Sequence, residues 1–173
     1  GLDSTVLLHL LRFGCGGMGL RWVPAHLDHG MRPGSASDAR WARGLCSAWG
    51  LELETASASE PPSDEAAARR VRYRYLHEVA RSRGSRWILT AHHGDDQAES
   101  VLFRAARGAG IRGLRGISPV REDGVLRPLL PFFRTDLEAY AAENRLSWRE
   151  DPTNLDSTFA RNFIRASVLP GLE

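Results

Sequence analysis

Arg86-Trp87-Ile88-Leu89-Thr90-Ala91-His92-His93-Gly94-Asp95-Asp96-Gln97-Ala98-Glu99 passes from one kind of pattern to another within fourteen residues. Arg86 to Ala91 is a compact apolar run, rich in residues that favour strands. His92 and His93 stand at its end. From about Asp95 to Arg107 the period becomes helical, with Ala98, Val101, Leu102 and Ala105 at i, i+3, i+4 and i+7. A buried strand delivering a polar cluster to the mouth of a helix is the repeating unit of an α/β fold.

The same unit recurs on the N-terminal side. Arg21 to Leu27 reads as a strand that presents Asp28-His29-Gly30. Ser35 and Asp38 have the spacing of a capping box, and the helix they start is expected to run to Trp49 and stop at Gly50. Leu51 to Thr55 is a second strand, and Ser57 to Ser63, with Pro61-Pro62, is a loop. A long helix is expected from Asp64 to Arg83. The chain begins Gly1-Leu2-Asp3-Ser4-Thr5 directly before an apolar helix. A helix with such a mouth should follow a strand and a turn, so a first strand is expected before Gly1.

Alternating strands and helices predict a doubly wound, mainly parallel sheet covered by helices on both faces. In such sheets ligands bind beyond the carboxyl ends of the strands. Asp3-Ser4, Asp28-His29 and the His92 to Glu99 segment all fall there. After Arg107 the pattern changes. Gly108, Gly110, Gly113 and Gly116 punctuate a loop, and Arg127 to Pro131 reads as extended. Thr135 and Glu138 suggest a further capping box for a helix to Asn144. Asp151 to Asn154 is a turn, and a last helix is expected from Phe159 to Pro170. The expected division is a core over 1–130 and a helical extension over 131–173, leading to a further tRNA-binding region.

The chain has 173 residues, of which 42% are hydrophobic, enough for one packed domain. No stretch has the length and apolarity of a membrane helix, and no secretory leader is evident. Cys15 and Cys46 form no C-x-x-C pair, as expected of reduced thiols in a cytoplasmic protein. Net charge is +2, and all 23 basic residues are arginine. Composition bias and phosphate recognition both produce that preference. There is no G-x-x-x-x-G-K-[ST], and no G-x-G-x-x-G follows a strand. P-loop NTPases and dinucleotide dehydrogenases are therefore poor readings.

Several residues stand out chemically. Asp3 at a helix N-terminus is either a plain cap or part of an anion site in which Mg²⁺ bridges the carboxylate to phosphates. Arg72 lies within the apolar arc Ala68, Val71, Tyr75, Leu76 and Val79, and a buried charge there would need a carboxylate or a phosphate. Asp96 and Glu99, one helical turn apart, suit a solvated face, a metal site with His92, or an amine site. His29 and His93 are lone histidines beside these clusters.

Taken together the segments resemble the PP-loop ATPases, and among them the tRNA(Ile)-lysidine synthetases. Gly1-Leu2-Asp3-Ser4 matches the last four positions of S-G-G-x-D-S. His26 to Arg32 matches H-x-D-H-G-[LM]-R, and Ala68-Arg69-Arg70-Val71-Arg72-Tyr73 resembles A-R-x-x-R-Y. Ala91 to Glu99 with Arg107 to Leu114 is similar to the family's most specific signature. Arg127 to Leu130, Trp148 to Asp151 with Asn154, and Phe159 to Arg165 complete the order. The resemblance implies adenylation by ATP of C2 of the wobble cytidine in an isoleucine tRNA with a CAU anticodon. The ε-amine of free L-lysine then displaces AMP.

It also implies roles. Gly1, Leu2, Asp3, Ser4 and Thr5 would hold ATP phosphates, with Asp3 on Mg²⁺, and Asp28, His29, Gly30 and Met31 would line the adenosine side. Asp3, Arg72 and His92 would be catalytic, and Asp96 and Glu99 would bind lysine. Arg107, Arg161 and Arg165 would contact tRNA or phosphate. Without the leading Ser-Gly and the first strand, weak or no ATP binding is expected of the residues 1–173 alone. A homodimer is compatible with the family. A tRNA thiolase of the superfamily would carry C-x-x-C pairs, an amidating synthetase would lack the Asp151 to Arg165 pattern, and a pure RNA-binding module would not need the strand-end acids.

Overall fold

The computed structural model describes residues 1–30, 34–150 and 163–169. Helix α1 (Leu2–His9) is followed by a wider turn over Leu10–Gly14, then strand β1 (Ala25–Asp28), helix α2 (Ser35–Ala48) and strand β2 (Glu54–Ser57). Helix α3 (Glu65–Ser82), strand β3 (Ile88–Leu89), helix α4 (Gly94–Ala106), strand β4 (Val125–Leu126) and helix α5 (Arg134–Glu143) complete the main elements. The fold is α/β. The chain divides into two compact units, one of residues 8–88 and one of residues 1–7 with 89–173.

In the 8–88 unit, β1 and β2 pair in parallel with Ala25 opposite Glu54 and Asp28 opposite Ser57. Parallel neighbours need a crossover, and α2 supplies it. Helices α2 and α3 both pack on β1. The strand expected over Arg21 to Leu27 begins later, at Ala25, and the one expected over Leu51 to Thr55 is displaced to Glu54–Ser57. Register fixes the shift, because only these four-residue stretches lie opposite one another. The Ser35–Asp38 capping box does not form. Gly34, at φ +93°, is the cap, and the Ser37 hydroxyl donates to its carbonyl at 2.7 Å. Helix α3 starts as expected, with the Asp64 side chain accepting the Ala67 N–H at 2.6 Å.

In the other unit, β3 and β4 are hydrogen-bonded neighbours, and the Thr90 N–H extends their contact to the Leu126 carbonyl. The core comprises Leu2, Val6, Leu7, Val125, Leu129, Leu137, Ala141 and Ile164, all buried. The strand expected over Arg86 to Ala91 is recorded only at Ile88–Leu89. Arg127 to Pro131 is not extended but turned, with Leu130 N–H on the Arg127 carbonyl and Phe132 N–H on the Leu129 carbonyl. Pro128 and Pro131 lack the N–H that a ladder requires. The Thr135–Glu138 box is likewise replaced. Helix α5 starts two residues earlier, where the Phe133 N–H donates to Asp136 at 2.7 Å. The expected Asp151 to Asn154 turn and the start of the Phe159 helix lie outside the described residues. Ile164–Val168 is a helical segment that packs on α4.

Two side chains of α4 organise the glycine-punctuated loop. Arg104 Nη1 donates to the carbonyls of Gly113 (2.9 Å) and Gly116 (2.8 Å). The Gln97 amide accepts from Ile117 N–H and donates to the Arg115 carbonyl. Gly116 has φ +67°, and a Cβ there would lie 2.6 Å from the Gln97 amide. Among the described residues no helix is long and apolar enough to cross a membrane.

Candidate active site

In the unit of residues 1–7 and 89–173, the chemically loaded residues gather where α1, α4 and α5 begin. Thr5, 3% exposed, turns inward: its N–H and hydroxyl both donate to the Gly1 carbonyl, the hydroxyl at 3.0 Å. Leu2 is a core side chain, so only its backbone is available to a ligand. Ser4 is exposed and Asp3 half-buried in the first turn. Asp3 Oδ1 is buried and accepts no hydrogen bond; its nearest cation, Arg134 Nη1, is 4.0 Å away.

Helix α4 supplies the other half. His93, 2% exposed, occupies its N-cap, and the His93 N–H donates to Asp96 Oδ2 at 3.0 Å. Asp95 and Asp96 in the first turn are favoured by the helix dipole. Asp95 Oδ2 lies 3.0 Å from His93 Nδ1 and also accepts the Arg134 backbone N–H at 2.8 Å. His93 Nε2 is 3.8 Å from Asp3 Oδ2 and 3.7 Å from Asp96 Oδ2. Arg134 completes the network through Glu138 at 2.9 Å and Glu150 at 3.6 Å.

Glu99 removes one of the three alternatives open to it. It does not sit on a solvated face but is 2% exposed, beside the buried Ser100. Glu99 is thus held in an enclosed setting, although Arg107 further along the helix is exposed. His92 is half-buried, with Nδ1 2.9 Å from the Thr90 hydroxyl. His93 is packed among the acids Asp3, Asp95 and Asp96. Arg107 is exposed over the Phe103 ring, 5.2 Å from its centroid. Arg161 lies outside the described residues, and Arg165 belongs to the Ile164–Val168 segment. Asp95 and Arg134 were not singled out from sequence. The acidic first turn of α4 hinted at Asp95, but nothing local to Arg134 announces its partners forty residues away.

In the 8–88 unit a second cluster forms at the carboxyl end of β1. Asp28 Oδ1 accepts the Gly30 N–H at 2.9 Å, and Ser35 adds a side-chain bond. These bonds, the Gly30 one foremost, hold the Asp28 carboxyl below its usual range. Gly30 has φ +65°, a conformation that favours glycine. Burial lowers the His29 pKa, and the nearby Arg72 lowers it further, so the ring stays neutral at neutral pH. Burial likewise lowers His26. Met31 lies outside the described residues. Arg72 is exposed rather than buried in the apolar arc, because its long stem carries the guanidinium out to solvent. At the amino ends of β1 and β2, away from Asp28, a cavity of about 340 Å³ is lined by Arg12, Arg21, Trp22 and Glu52 among others. It shares no residue with either cluster.

The family model described as the PP-loop domain matches residues 1–172. The chain belongs to the PP-loop domain family. This PP-loop domain is 43% identical over 182 residues to a tRNA(Ile)-lysidine synthase of Chlorobaculum tepidum, covering 100% of the chain and 54% of that relative. It is 44% identical to the Thermus thermophilus enzyme of that name, covering 100% of the chain and 34% of the relative. For the Pseudomonas aeruginosa enzyme the identity is 42%, covering 99% and 40%. The chain spans about half, or less, of the length of these relatives. Its fold is also similar to the U34-tRNA thiolase NcsA of Methanococcus maripaludis, solved with a 4Fe-4S cluster. There the TM-score is 0.78 at 17% identity, covering 100% of the chain and 62% of that structure. Use of ATP goes with membership of the family.

Proposed function

We propose that this domain is the catalytic core of a tRNA(Ile)-lysidine synthase, acting in the cytoplasm. The observation that carries the proposal is the identity of 42–44%, sustained over 99–100% of the chain, with relatives of that name. ATP adenylates C2 of the wobble cytidine of an isoleucine tRNA with a CAU anticodon. The ε-amine of free lysine then displaces AMP.

The residues fit these tasks. Asp3 suits Mg²⁺. Among the described residues no group of three or more His, Cys, Asp or Glu is arranged to hold a metal ion. Mg²⁺, however, binds through one or two carboxylates together with phosphates, and Asp3 Oδ1 is a buried oxygen with no hydrogen bond. Bound there, the ion would offset phosphate charge. Gly1 to Thr5 provide a helix N-terminus for phosphates, and Asp28 to Met31 the adenosine side. Arg72 and His92 would act at the phosphates and the activated base. Asp96 and Glu99 would hold the lysine ammonium, and burial of Glu99 strengthens that attraction by excluding water. The amine must give up a proton before it attacks. Arg107, Arg161 and Arg165 would contact tRNA or phosphate, and the whole enzyme would work as a monomer or a homodimer.

The test is incorporation of labelled lysine into a CAU-anticodon tRNA transcript by the chain extended to the length of its relatives. Incorporation should require ATP, vanish when the wobble cytidine is replaced, and be abolished by Asp96→Ala. A folded protein that binds ATP and tRNA yet transfers no lysine would sink the assignment.

A further inference from the structure

We propose that His93 is a positioning residue for Asp3, anchored by Asp95 and, through it, by the start of α5. The inference rests on the reading above, in which Asp3 meets nucleotide phosphates through Mg²⁺. That reading gives a task to His92 and none to His93.

The ring of His93 is 2% exposed and cannot turn without disturbing its neighbours. One side is tied down. A carboxylate oxygen can only accept, so the 3.0 Å contact between Nδ1 and Asp95 Oδ2 places a proton on Nδ1. The same Asp95 oxygen accepts the Arg134 backbone N–H at 2.8 Å, so the anchor is itself fixed to α5. With Nδ1 committed, geometry directs Nε2 toward Asp3 Oδ2, 3.8 Å away, and Asp96 Oδ2, 3.7 Å away.

Asp3 needs such a neighbour. Three carboxylates, those of Asp3, Asp95 and Asp96, surround one imidazole, and their mutual repulsion would splay the most weakly held. That one is Asp3: Asp95 has the Arg134 N–H, Asp96 has the His93 N–H, and Asp3 Oδ1 has no hydrogen bond, only the Arg134 guanidinium at 4.0 Å. The imidazole fills the space between them and limits where the Asp3 carboxylate can go. Both Nε2 contacts are longer than a hydrogen bond, so the ring acts on Asp3 by packing. Groups that back a metal ligand are a known means of fixing its orientation.

The experiment is a double-mutant cycle on MgATP affinity, measured by calorimetry with the chain extended to the length of its relatives. It compares the parent, His93→Ala, Asp3→Asn and the double variant. His93→Ala should weaken MgATP by about 10- to 100-fold in the parent, the range found for groups behind a metal ligand. In the Asp3→Asn background it should cost less than about twofold, because two residues acting through one group are not additive. Affinity for tRNA should not change. His93→Gln, whose amide reaches the position of Nε2, should recover most of the loss. Asp95→Ala, which removes the oxygen that accepts from both Nδ1 and the Arg134 N–H, should weaken MgATP as His93→Ala does. These last two carry the test if the alanine variant fails to fold. An equal loss in both backgrounds, or no loss at all, overturns the positioning role and leaves the lysidine assignment standing. A folded parent that binds no MgATP overturns both.

Discussion

Gly94→Ala probes the joint on which the site is assembled. The Gly94 N–H donates to the Phe132 carbonyl at 2.6 Å. A Cβ added at residue 94 would lie 3.0 Å from that oxygen, 3.0 Å from Phe133 Cδ1 and 3.1 Å from Cε1. Carbon–oxygen contacts settle near 3.3–3.6 Å and carbon–carbon contacts near 3.5–4.0 Å. The Phe132–Phe133 segment must therefore retreat by roughly 0.4 Å, counted from those spacings. The Gly94 hydrogen bond tolerates this, since about 3.0 Å is its ordinary length. The bond from Arg134 N–H to Asp95, one residue further on, is stretched as well. Overpacking of this kind costs about 1–3 kcal/mol, and the less flexible unfolded chain returns about 0.4–1 kcal/mol. The net expectation is a loss of roughly 1–2 kcal/mol. In urea that lowers the unfolding midpoint by about 0.5–1 M. Phe133 is 56% exposed, so Phe133→Ala should cost little by itself. Combined with Gly94→Ala it should restore only part of the loss, because the carbonyl remains. A midpoint unchanged or raised by Gly94→Ala would refute the claim that close backbone approach requires glycine here.

Two further expectations concern titration in the 8–88 unit. His26 and His29 both have pKa values lowered from 6.5, first of all by burial. As pH falls below 6.5 the unfolded chain takes up protons that these folded rings refuse, so stability should decline from there toward the folded values. Asp28 acts in the same direction further down: its depressed pKa stabilises the fold above 3.8, and that contribution is lost as pH falls through the folded value. Urea midpoints between pH 8 and pH 4 check the histidines, and a continuation below pH 3.8 checks Asp28; a flat profile through the histidine range would contradict the burial argument. Burial also raises the pKa of the Cys46 thiol, whereas Cys15 is only half-buried. A thiol reagent at neutral pH should modify Cys15 first, and equal rates in the native protein would argue against the enclosed position of Cys46.

The fold was legible wherever a local rule suffices. Helix α3 begins just after the residue whose side chain caps it, and α4 spans the expected residues to within one at each end, although Ala105 of its apolar period is exposed. Strand limits were not legible. Apolar runs propose where a strand may lie, but pairing selects the residues, and β1 needs Ala25 opposite Glu54. Both capping boxes read from Ser35 and Thr135 fail for a related reason. A hydroxyl three residues before an acid is a common pattern, and the chain had other acceptors at hand. Ser35 bonds to Asp28 instead, and Asp136 takes the Phe133 N–H.

The candidate site divides along the same line. Residue types at strand ends pointed to Asp3, Asp28, Asp96 and Glu99 before any coordinates. What periodicity could not supply was the environment of each acid. A helical wheel puts Glu99 opposite Ala98 and Val101, which suggests solvent, yet the residue is 2% exposed. The wheel has no knowledge of what covers an individual side chain. Arg72 errs the other way, since a position in an apolar arc says nothing of where four rotatable bonds take the guanidinium. His93 and Arg134 are harder still. Their partners are set by the approach of Phe132 to Gly94, a backbone contact between segments distant in the chain that leaves no periodic trace. The single local clue was the glycine between two histidines and two aspartates, and its meaning depends on the carbonyl that a side chain would strike. A glycine at the first position of a helix, where alanine would be the better helix former, is therefore evidence of a neighbour that the sequence alone cannot name.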